Sequence, residues 1–225
     1  MTQKEDIKAI LKGFARSLAQ INPAFAPLAQ AWSEFETHVQ NRRVNEFLEI
    51  LREDITQLKD RILMLEEKLI STGEFPSLIE RTVEKIRREV SRNKIRKFSA
   101  LLANCMASGD DLSYEEKIDF LETLDTLTDQ DIKILFIFAQ APLLRVDGLI
   151  DRGIMGERSE ENTSRLIVSL SKLEARGIIG ETADKSGVFS HWGDTNYWVN
   201  RWRKKVFQLL PFGIKFINSL KEPGD

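Results

Sequence analysis

Apolar residues recur along this chain at helical rather than strand spacing. Ile7, Ile10, Leu11, Phe14 and Leu18 share one face of a segment over 4–20, with Lys4, Lys8, Lys12 and Arg16 at four-residue intervals along another. Asn22-Pro23-Ala24-Phe25-Ala26-Pro27 breaks that pattern. Val44, Leu48, Leu51, Ile55, Leu58, Ile62, Leu65 and Leu69 then alternate spacings of four and three, which is a heptad seam. Extended upstream through Trp32, Phe35 and Val39, this helix runs from about 28 to 70, some ~60 Å at 1.5 Å per residue. Ser71 to Phe75 reads as a turn, with Gly73 at a helix C-cap and Pro76 in the first turn of the next helix. So short a connection predicts an antiparallel hairpin. The return helix, 77–107, places Ile79, Val83, Ile86 and Val90 on one face, then shifts phase to Ile95, Phe98, Leu102 and Cys105.

The remainder changes character near 125–128. Ser113-x-x-Glu116 has the form of a capping box before a short helix through Ile118, Leu121 and Leu124. Thr128 caps a helix that buries Ile132, Leu135, Phe136 and Phe138 and ends at Pro142. Residues 143–155, with Gly148 and Gly153, read as a short helix or turn. Ser159-Glu160-Glu161 opens a helix that buries Leu166, Ile167, Leu170 and Leu173 and stops at Gly177. Ile178-Ile179 and Val206 to Leu210 suit two strands across a hairpin, and a closing helix follows Pro211-Phe212-Gly213. The expected fold is mainly α: a long antiparallel helical hairpin followed by a C-terminal winged helix-turn-helix with a small β wing. Its divisions fall at 1–27, 28–110 and 111–225.

Charge refines this picture. With 33 basic and 35 acidic residues the net charge is −2, so nucleic-acid binding must come from local clusters. One cluster lies along the helix before Gly177: Arg165, Ser169, Lys172 and Arg176, at i, i+4, i+7 and i+11. Arginine can bridge guanine or phosphate, lysine neutralises phosphate and serine makes short contacts. A second surrounds the wing, where Arg201, Arg203, Lys204 and Lys205 stand among Trp192, Tyr197, Trp198 and Trp202. A further basic patch, Arg81, Lys85, Arg88 and Arg92, repeats the first spacing on the return helix. It can pair with an acidic face such as Glu46, Glu53, Asp60 and Glu67, stay solvated, or hold phosphates.

Catalytic chemistry has no evident carrier. His38 and His191 sit in no paired ligand arrangement, so no metal is expected. Phosphate loops, dinucleotide fingerprints and nucleophile elbows are missing, and no cofactor is expected. Asp147 and Asp151 read as a polar turn. Cys105, the single cysteine, falls on an apolar face as a buried thiol. One cysteine, no signal-peptide core and no apolar run of ~18 residues predict a cytoplasmic chain without integral membrane insertion.

The motif order resembles the bacterial Abi-alpha type, a family associated with abortive phage infection. The matching segments are Phe98-Ser99-Ala100-Leu101-Leu102-Ala103-Asn104, Phe120-Leu121-Glu122-Thr123-Leu124, Leu127-Thr128-Asp129-Gln130-Asp131, Leu170 to Ile178, and Leu210 to Phe216. They cover about 75–220; the heptad helix and its basic neighbour are not part of that pattern. The resemblance implies a defence-related or uncharacterised bacterial protein and supplies no catalytic residues.

Two functions compete. The first is a non-enzymatic, DNA-binding or regulatory protein. The second is a protein-interaction or oligomerisation scaffold in a defence or toxin system, a homo-oligomer or partner complex formed through the hairpin. A third reading lays residues 4–20 on a membrane surface.

Overall fold

The computed structural model describes residues 42–58, 74–108, 111–141, 143–157, 159–182, 202 and 205–222. They form two compact units, Met1–Thr126 with Ser219–Asp225, and Leu127–Asn218. The segment 111–126 therefore falls in the first unit rather than the second. Residues 1–41 lie outside the description, and with them the segment 4–20. So do 59–73, which carry the second half of the heptad seam and the hairpin turn.

The first unit contains α1 (Arg42–Gln57), α2 (Glu74–Ile86), α3 (Arg92–Ala107) and α4 (Tyr114–Thr126). Val44, Leu48, Leu51, Ile55 and Leu58, the first half of the seam, are all buried. They face this chain's own helices, chiefly α3. Phe47, Ile79, Val83, Phe98, Leu102 and Phe120 complete the core.

The single return helix expected over 77–107 is in fact two helices. The break sits at the phase shift, where Glu89 accepts from the backbone N–H groups of Val90 (2.8 Å) and Ser91 (2.9 Å). Ser91, in extended conformation, then caps α3 by accepting from the Lys94 N–H. The Ser113–Glu116 box closes in both directions, at 3.1 and 2.9 Å.

The second unit runs α5 (Asp129–Gln140), β1 (Leu143–Arg145), α6 (Val146–Asp151), α7 (Glu160–Ala175), β2 (Ile179–Glu181), β3 (Val206–Leu209) and, as far as Asn218, α8 (Pro211–Leu220). β1 replaces part of the expected helix or turn over 143–155; three residues with one buried side chain, Leu144, are too few to show strand alternation. The antiparallel sheet has the order β1-β3-β2, with Leu144 opposite Phe207 and Gly180 opposite Gln208.

Thr128 and Asp131 form a complete capping box on α5. Gly177, at φ 67°, ends α7: its N–H reaches the Glu174 carbonyl, and the Ile178 N–H reaches Leu173. Gly213 permits the closest packing in the unit. A Cβ there would lie 2.1 Å from the Ile178 carbonyl oxygen, which already accepts the Leu210 N–H at 3.0 Å.

Candidate nucleic-acid interface

The four candidates on α7 separate into two pairs. Ser169 is buried and faces the Asp131 carboxylate. The Lys172 ammonium donates to Asp131 Oδ2 at 2.7 Å. Burial works to raise the Asp131 pKa, yet Lys172, Ser169 and the Thr128 cap outweigh it and hold the group below the usual carboxylate range. Ser169 and Lys172 thus help anchor α7 to α5. Arg165 remains exposed, beside Glu161 one turn earlier at 2.6 Å, and Arg176 is exposed at the C-cap.

Helical geometry explains the split. The buried positions Thr163, Leu166, Ser169, Leu170 and Leu173 define the inner face. At 100° per residue, the 165-169-172-176 stripe lies about a quarter turn from the centre of that face, not opposite it. Ser164, Val168, Ser171 and Ala175 stand opposite. Val168 is 63% exposed.

Lys205 is also committed. Its ammonium lies 2.6 Å from Glu181 and 4.2 Å from the centre of the Trp202 ring, and Trp202 stacks on Phe207 at 5.9 Å. Lys205, directly before β3, therefore ties that strand to β2. Arg201, Arg203 and Lys204 lie outside the described residues, as do His38, His191, Trp192, Tyr197 and Trp198.

In the first unit the patch Arg81, Lys85, Arg88 and Arg92 is divided by the helix break. Lys85 bridges Glu122 at 2.9 Å and Asp125 at 3.1 Å. Burial would lower its pKa, but the two carboxylates raise it. Arg92 reaches Glu46 on α1 at 2.6 Å, which is the pairing with the acidic face that the heptad pattern offered. Arg81 and Arg88 are exposed and have no ion pair among the described residues. Lys94 and Lys97 are buried and bound to Glu89 and Glu222.

Cys105 is buried, and burial pushes its thiol pKa up to about 12, with Lys117 opposing; such a thiol is no nucleophile. Asp147 accepts from Arg145 and from the Gly148 N–H. No metal-binding cluster of His, Cys, Asp and Glu exists among the described residues. No described helix is long and apolar enough to cross a membrane.

Sequence reasoning missed Asp131 as the hub of the second unit, although its capping role was visible. Its burial could not be read from spacing, because the carboxylate stays buried only with Lys172 supplied from α7. The chain matches no protein-family model, no curated protein and no solved structure.

Proposed function

We propose that this protein is a non-enzymatic DNA-binding regulator, with Leu127–Asn218 working as a winged helix and α7 as its recognition helix. The supporting topology is a helix, a strand, two helices and two further strands, with β3 central. One observation carries the reading: α7 runs through Gly177 directly into β2 and leaves its outer side open, with exposed Arg165 in its second turn and exposed Arg176 at its C-cap. These arginines stand about 16 Å apart along the axis at 1.5 Å per residue. Lying on one flank of α7, the pair suits phosphates along one rim of a major groove, while exposed Ser164 faces its floor. Arg201, Arg203 and Lys204 supply the wing contacts, and Ser169, Lys172 and Lys205 hold the framework. The resemblance to Abi-alpha proteins is the ground for proposing a role for this regulator in bacterial phage defence.

Val168 and the acids Glu160 and Glu161 at the start of α7 favour a second reading, a protein-docking face without DNA contact. Charge reversal separates the two. Arg165→Glu with Arg176→Glu lowers duplex affinity at least tenfold under the DNA reading, because two phosphate contacts become repulsive. Unchanged affinity, or no affinity in the parent protein, removes the DNA reading and leaves docking.

A further inference from the structure

The corner between α2 and α3 has an asymmetric distribution of charge. Its one acid, Glu89, is turned inward: one carboxylate oxygen takes the Val90 and Ser91 N–H groups, and the other meets the Lys94 ammonium at 3.0 Å. Burial would raise the Glu89 pKa, but these donors hold it below the usual range. Lys94 is buried with it and also donates to the Asp125 carbonyl at 2.7 Å. What remains outside is basic and apolar. Val90, at the tip, is 76% exposed. Arg88 precedes it; Arg92 and Arg96, one turn apart on α3, follow it, all three exposed. Only Arg92 carries a carboxylate partner among the described residues, and it remains 81% exposed in that pair.

We infer that this corner is a contact point for an anionic membrane surface. Three exposed arginines around an exposed valine suit an anionic plane, because the apolar side chain has no role on a phosphate backbone. The hydrogen bonds of Glu89 fix the backbone there, so Val90 is presented outward without further ordering. Apolar tips enter the headgroup boundary, and flanking arginines gain from anionic lipid, about fivefold in affinity for each. The contact is reversible and salt-sensitive, an attachment on the membrane rather than through it.

Vesicle co-sedimentation of the full chain tests this, with phosphatidylserine-rich vesicles set against pure phosphatidylcholine. The anionic vesicles bind and the neutral ones do not, and binding falls as salt rises to ~0.15 M. Arg88→Glu with Arg96→Glu lowers binding at least about twentyfold, and Val90→Asp lowers it several-fold. Thermal melts matching the parent protein establish that the variants are folded, and Val90→Ser serves where Val90→Asp is not. Vesicle binding that ignores both changes overturns the inference. Loss of duplex-DNA binding in the corner variants, with no vesicle binding in the parent, assigns the corner to nucleic acid and also overturns it. Neither result touches Arg165 and Arg176, so the DNA reading stands or falls separately.

Discussion

Two stripes with identical spacing meet different fates in the two units. Arg81-Lys85-Arg88-Arg92 and Arg165-Ser169-Lys172-Arg176 both follow i, i+4, i+7, i+11. The first is severed by the break at Ser91, and its members disperse to Glu122, Asp125, Glu46 and solvent. The second stays on one helix, but its middle members turn in toward Asp131. Such a spacing defines a line on a helix without fixing which side is wet. Burial of the neighbouring apolar residues fixes that.

A sharper contrast lies in the buried aspartates. Asp131 has a lysine at 2.7 Å. Asp54, on α1, accepts the Ser99 hydroxyl at 2.5 Å, while the nearby Lys97 gives its ammonium to Glu222. Burial raises the Asp54 pKa; Ser99 opposes, Glu222 and Glu53 add to the rise, and Lys97 offsets part of it. The two aspartates therefore make opposite contributions to the pH dependence of stability. With its pKa lowered in the fold, Asp131 contributes stability above the ordinary carboxylate value of 3.8, lost as pH falls through the lower folded value. Asp54 contributes stability below 3.8, lost as pH rises through its raised folded value.

Substitutions can break this contrast. The largest effect is expected at Asp131→Ala, which removes a capping box and a buried ion-pair partner together. Unfolding free energy falls by about 3 kcal/mol, with Lys172, a third exposed, recovering some hydration; chemical denaturation measures it. Lys172→Met comes next, at about 2 kcal/mol, because it leaves the Asp131 carboxylate buried and unpaired. It also raises the pH at which the second unit melts on acidification, read by tryptophan fluorescence. Asp54→Asn has the opposite sign. It keeps a hydrogen-bonding partner for Ser99 and removes a poorly compensated charge, so stability at pH 7 rises by about 1 kcal/mol, and the gain shrinks as pH falls toward 4. Glu46→Ala is smallest, under about 0.5 kcal/mol, because its partner Arg92 is solvated. A large loss there would place the Arg92 pair among the structural ones.

Local rules made much of the fold legible. Thr128 with Asp131, Ser113 with Glu116, Ser159 and Gly177 all act as the caps their residue types predict. The break at Ser91 was visible as a change of phase, but a change of phase does not distinguish a kink from a new helix. β1 was not legible: Leu143–Arg145 becomes a strand by pairing with β3, more than fifty residues later in sequence. The candidate site was half legible. Arg165 and Arg176 were placed by type and spacing; Ser169 and Lys172 belong to a carboxylate from another helix, and Lys205 belongs to Glu181 and Trp202.

Contact of the outward arginines of α7 with DNA phosphates is read most directly from the salt dependence of duplex affinity, in the parent protein and in Arg165→Gln with Arg176→Gln. Each phosphate contact adds close to one unit of slope in log affinity against log salt. The parent is expected to show a steep slope, and the variant a slope less steep by about two. A flat slope in the parent, or the same slope in both proteins, contradicts that contact.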